Sequence, residues 1–255
     1  MKKNPIPAAV GALLLIAGLV LVFVTRGAAV AENAGAADKM LFALSLILTV
    51  LGLVTGIVGL VPRRETVNVR KLALAGLFAA LCYIGFTFCK IDIPVGTEKT
   101  AFHLGNVFCV LAALLLGGFW GGMAGAVGMT IADLTTAYVT SAPKTFVLKL
   151  CIGLIAGFVA HRVFKISENT ERKVPLGVSV YLSCAAGMAF NVVADPVVGY
   201  FYKTYVLGVP QKAAAIWAKI GAVTTFVNAV VAVVVAGTLY LALRPALKRS
   251  HLMPQ

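Results

Sequence analysis

Long apolar runs alternate with short polar breaks along the whole chain. Most runs reach the roughly 17 to 25 residues that an α-helix needs to cross a bilayer core of about 30 Å. They predict helices over Pro7 to Val24, Leu41 to Val61, Leu72 to Cys89, Ala101 to Leu116, Phe119 to Val139, Thr145 to Phe164, Leu176 to Phe201 and Ala213 to Leu243. The fourth run is short and broken by polar residues. A basic, polar linker between the second and third runs divides the chain into three expected regions: an N-terminal pair of transmembrane helices (1–62), a cytoplasmic linker (63–71) and a six-helix membrane core (72–249). The expected fold class is thus an all-α integral membrane protein, a six-helix core preceded by two extra N-terminal helices.

Composition agrees with a lipid surrounding. Hydrophobic residues fill 60% of the 255 positions and charged residues 12%, roughly half the charged share of a soluble domain. The net charge of +13 comes from short clusters between apolar runs, which reads as topology and excludes a single nucleic-acid-binding patch. With the N-terminus inside, thirteen Lys and Arg fall in cytoplasmic segments and seven outside, and Lys149 and Lys219 lie within helices. That asymmetry predicts a plasma-membrane protein with both termini in the cytoplasm. Lys2-Lys3, the first apolar run and Ala29-Val30-Ala31 also imitate a secretory signal with its cleavage site, although the run is longer than a usual signal core. The five cysteines stand singly in apolar segments with no CxxC pair or histidine partner, and read as small buried apolar residues, with no metal site.

Candidate chemistry lies in the charges inside the membrane. Asp133, Lys149, Asp195 and Lys219 each cost roughly 2.5 to 3.5 kcal/mol near a helix centre, so a chain keeps them mainly where they pair or meet water. Counted from the helix ends, all four sit about 8 to 10 Å below the outer boundary. His103 and Asn106 join that layer, and Asn191 and Asn228 lie nearer the midplane. One reading is a polar cavity opening outward, with formal charges that sum to zero. Another pairs Asp133 with Lys149 and Asp195 with Lys219 as ion pairs that only brace the bundle. The aromatic residues Phe102, Tyr138, Phe146, Tyr200, Tyr202 and Trp217 would suit a planar polar heterocycle. Ala75 and Ala79, like Gly76 and Ala80, make a small-xxx-small face that would let another helix approach, and Gly117 to Gly122 with Gly125 and Gly128 have the same property.

These residues carry a resemblance. His103-Leu104-Gly105-Asn106, the glycine-rich run from Leu116 to Asp133, and Lys149 with Gly153-Leu154-Ile155-Ala156-Gly157 resemble the substrate-binding S components of energy-coupling factor (ECF) transporters, in particular the riboflavin-type branch. The similarity covers roughly Arg70 to Arg249. It implies a six-helix protein that captures a vitamin or related micronutrient from outside the cell: riboflavin, a pyridoxine-like ring or a pyrimidine precursor. It also implies docking onto a transmembrane scaffold subunit driven by two cytoplasmic ATPase subunits. Ala75 and Ala79 match the family's alanine motif, which contacts the scaffold. Asn106, Asp133, Lys149, Asp195 and Lys219 fall where members place ligand contacts, and His103 and Asn191 complete the candidate set. The N-terminal pair of helices departs from the usual six-helix pattern.

The sequence contains no Walker A motif, so this chain cannot hydrolyse ATP by the usual P-loop route and energy for uptake must come from elsewhere. Neither HExxH nor GxSxG occurs, and no catalytic residue or cofactor is expected; His161, beside Arg162 at a helix end, reads as an interfacial side chain. The main alternative is a stand-alone secondary transporter in which Asp133 or Asp195 couples the solute to an ion.

Overall fold

The computed structural model describes residues 69–96, 98–167 and 174–249, with a few isolated helical positions among the first 41. The expected N-terminal helices, the possible cleavage site and most of the basic linker therefore lie outside the described residues. The chain divides into two compact units, one of residues 67–200 and 212–255, the other of 1–66 and 201–211. Within the described part of the second, Tyr202–Val206 forms a π-turn, and Phe201 and Tyr205 stack with ring centroids 5.9 Å apart.

The described residues contain six α-helices, α1 (Val69–Thr87), α2 (Gly105–Leu116), α3 (Gly118–Leu134), α4 (Ala142–Phe158), α5 (Leu176–Phe201) and α6 (Gln211–Arg249). Among the described residues, four helical stretches are long and apolar enough to cross a membrane: Val69–Thr87, Val139–Val163, Leu176–Val206 and Gln211–Leu247.

One expectation fails at the start of the fourth run. Ala101 to His103 are not helical; they close a hairpin of β1 (Lys90–Val95) and β2 (Glu98–His103) between α1 and α2. The strands pair antiparallel with Lys90 opposite His103 and Val95 opposite Glu98, turning at Gly96, whose φ of +62° suits glycine. What remains of the run, α2, is 12 residues long, about 18 Å and too short to span a bilayer core alone. Every α2 residue but Phe108 is buried. Its apolar character all round follows from a position inside the bundle.

Glycine decides how closely α3 approaches its neighbours. A Cβ at Gly153 would collide with the backbone of Gly122, one at Gly157 with Gly118, and one at Gly121 with Ala113. Gly125 leaves room for Cys109, and Gly128 for the carbonyl of Ala79. The spacings Gly118-x3-Gly122 and Gly153-x3-Gly157 thus bring α3 and α4 backbone to backbone. Cys82, Cys109 and Cys184 are buried as expected, whereas Cys89 is exposed and Cys151 half-buried.

Small residues on α1 differ from expectation by one position around the helix. Ala75 is buried in the core and Ala79 is half-buried, its carbonyl against Gly128. The exposed small residues are Ala73, Gly76 and Ala80, with Leu72, Leu77 and Ile84 beside them. The glycines of α3 explain the difference, because they draw the Ala79 backbone inward.

Candidate binding site

Two ends of the bundle differ in chemistry. At one end Arg244 donates to the carbonyl of Ile166 at 3.2 Å, which places the end of α6 beside the α4–α5 connection. His161, on the π-turn that follows α4, contacts Ser167 Oγ at 2.9 Å and the carbonyl of Ala113 at 3.1 Å, so it ties helix ends together. The candidate site residues gather toward the opposite end.

There, Pro143 in its first turn lets α4 begin at Ala142, three residues before the expected start. Lys144 consequently lies in the helix, and its Nζ pairs with Asp195 Oδ1 of α5 at 2.8 Å. Thr225 Oγ1 of α6 donates to the other oxygen of Asp195 at 2.9 Å. Asp195 is therefore closed by its own protein, and its cation is Lys144. The expected partner, Lys219, is exposed and makes no ion pair among the described residues. Its helix has 39 residues, about 58 Å and longer than the bilayer core, so a lysine in its third turn does not have to sit among the buried charges.

Asp133 near the end of α3 and Lys149 of α4 are buried, at 2% and 7% exposure. Thr145 hydrogen-bonds the Asp133 carboxylate, and Lys149 has Asp195, Lys144 and Asp133 as electrostatic neighbours. No Asp133–Lys149 contact falls within 4 Å, so the expected bracing pair is absent. The Sγ of Cys109 lies 3.7 Å from the Lys149 carbonyl. Asn106, one turn earlier on α2, therefore stands nearer the same end as Thr145.

The hairpin borders this layer. Asn228 of α6 accepts from the His103 amide at 3.0 Å and donates to the Ala101 carbonyl at 3.0 Å, while Thr100 and Thr224 hydroxyls meet at 2.9 Å. The His103 ring lies 4.6 Å from that of Phe86, which makes an edge contact with Tyr138 at 5.5 Å. Lys90 sits 5.0 Å over the Tyr138 ring and 3.4 Å from Asp92, which also accepts from the Tyr138 hydroxyl at 2.9 Å. Burial, then the Lys149 cation, push the His103 imidazole down to about 3, so it is neutral at physiological pH.

Among the candidate residues, four buried polar atoms have no hydrogen-bond partner, His103 Nδ1, Asn106 Oδ1, Asp133 Oδ2 and Asn191 Oδ1, and the hydroxyls of Thr87 and Thr130 nearby have none either. Such atoms are costly to leave unmade, and each calls for an explanation. The four come from β2, α2, α3 and α5, and Asn191 lies one helical turn from Asp195. All four are among the residues that the sequence offers as candidates, whereas Lys144, Thr225 and Phe86 are not. Lys144 was detectable as a charge one residue before the sixth apolar run, whereas Thr225 and Phe86 carried no such signal.

Residues 66–245 match the family model of the ECF-type riboflavin transporter S component. The chain belongs to that family. No curated protein and no solved structure matches it. As an S component it is a multi-pass membrane protein and the substrate-binding membrane subunit of an ECF transporter, a family of transport proteins. The match begins before α1 and ends within α6, so the S-component region contains every candidate residue named above.

Proposed function

We propose that this S component captures a small, vitamin-like heterocycle from outside the cell. Riboflavin, a pyridoxine-like ring and a pyrimidine precursor are the candidates. The observation that carries the reading is the set of four buried, unpartnered polar atoms on His103, Asn106, Asp133 and Asn191, beside the buried Lys149. Together they offer acceptors for ligand N–H and O–H groups and one cation for a ligand oxygen. Lys144 and Asp195 act as structural support for that layer, and Lys219 has no part in it. The loaded protein passes its ligand to a scaffold subunit driven by two ATPase subunits, and docking uses the exposed small face of α1 around Gly76 and Ala80.

Orientation belongs to the same proposal. Arg70 and Lys71 at the start of α1, Arg162 and Lys165 after α4, and Arg244 and Arg249 near the end of α6 fall at one end by connectivity, which supports a cytoplasmic C-terminus and an outward-facing site. Native mass spectrometry of the purified chain tests the function directly. A vitamin-like heterocycle at one per chain is the expected result. An empty protein that also binds none of these vitamins would overturn it.

One observation favours a second reading. Asp133 has no cation within 4 Å among the described residues, and an unpaired intramembrane carboxylate can carry a coupling proton in a stand-alone transporter. Uptake into vesicles holding this chain alone, driven by a proton gradient, would establish that reading in place of the first.

A further inference from the structure

The four charges of the layer, two buried and two half-buried, do not form two equal pairs. Asp195 is closed on both oxygens by Lys144 and Thr225. Asp133 and Lys149 stand open on the adjacent helices α3 and α4. Both are more than nine-tenths buried, Lys149 has Asp195 as its foremost charged neighbour and Asp133 as a weaker one, and no oxygen–nitrogen distance between Asp133 and Lys149 falls within 4 Å. Asp133 Oδ2 has no hydrogen-bond partner at all. A buried carboxylate and a buried ammonium held apart are each expensive, and they become favourable together when a single molecule supplies the opposite charge to both.

We infer that the ligand is a small zwitterion, its cationic N–H on Asp133 Oδ2 and its anionic oxygen on Lys149 Nζ. The inference rests on the proposed capture function and narrows it. Among the candidate heterocycles it selects the pyridoxine-like ring, a 3-hydroxypyridine whose ring nitrogen is protonated and whose hydroxyl is ionised at neutral pH. Riboflavin and uncharged pyrimidines present no such pair. Asn106 and Asn191 then accept from hydroxyl groups on the ring substituents, using the acceptor oxygens that lack partners in the protein.

Calorimetric titration of the full chain, stripped of co-purified ligand, would compare two zwitterionic probes with two neutral ones. The zwitterions are pyridoxine and a pool of amino acids; the neutral probes are riboflavin and thymine. Binding confined to a zwitterion, weakened tenfold or more by Asp133→Asn and by Lys149→Gln, is expected. If either variant fails to fold, the wild-type chain is titrated with 3-deoxypyridoxine, which lacks the ionised oxygen. A tenfold loss relative to pyridoxine is then expected, and equal affinity would overturn the inference. Binding of riboflavin or thymine with both zwitterions refused also overturns it while leaving the capture function standing. Refusal of all four overturns both.

Discussion

Asn228 uses both ends of its amide on the backbone of a single strand, accepting from His103 and donating to Ala101. A side-chain amide thereby takes the place of a neighbouring strand along the edge of β2. Asn228→Ala would leave a carbonyl and an amide proton unpaired, at about 1–3 kcal/mol each where they stay buried. The expected result is a lowered thermal midpoint together with faster ligand release, because the hairpin carries His103. Asn228→Asp keeps the acceptor and should fall between. His103 gives a separate signature. Its folded pKa lies below its unfolded value of about 6.5, so the unfolded chain binds more protons between the two. Stability attributable to neutral His103 is complete above that unfolded value and is lost as pH falls. His103→Phe should flatten the acid side of a plot of melting temperature against pH; an unchanged slope would contradict the assignment. At this scale the sequence made the candidate carboxylates and asparagines legible, because polar groups in apolar helices are conspicuous. It misassigned their partners. Hydropathy starts the helix at Thr145 and leaves Lys144 outside it because it does not register a polar first turn, and it sets Lys219 among the buried charges because it does not register a helix longer than the bilayer.

Among the elements, the hairpin was the least expected, yet its signal was present. Ile91, Ile93 and Val95 alternate with Lys90, Asp92 and Pro94 before Gly96, a period of two that a search for long apolar runs passes over. Helix α2 illustrates the opposite limit. Its apolar run was visible, but only packing shows that it is enclosed on all sides rather than facing lipid. The contact between α3 and α4 was half legible, since the glycines were conspicuous and their mates were not. Gly153→Val and Gly157→Val place a side chain against the backbone of the facing helix. Each should destabilise the protein at or beyond the upper end of the roughly 1–3 kcal/mol typical of overpacking. Gly76→Val, with nothing within 4 Å of the added Cβ, should leave the melting temperature in detergent unchanged. Equal effects at the three positions would show that the close approach is not what the glycines provide.

For the molecule as a whole, the membrane class followed from composition and the family from a handful of motifs, and the family match confirms both. The small face proposed for docking required three dimensions, because a one-residue rotation of α1 separates the buried Ala75 from the exposed Gly76 and Ala80. Ala80→Trp is expected to abolish co-purification with a scaffold subunit while ligand affinity stays within twofold of wild type. Ala75→Trp should instead prevent folding. Retained co-purification of the Ala80 variant would move the docking face elsewhere. The balanced set of Asp133, Asp195, Lys144 and Lys149 has an electrical consequence. Moving one elementary charge through 100 mV is worth about 2.3 kcal/mol, whereas a layer of two anions and two cations that takes up a ligand of no net charge presents nothing for the voltage to act on. Displacement of the loaded site across the membrane would transfer no current, and its rate would be the same in polarised and depolarised cells.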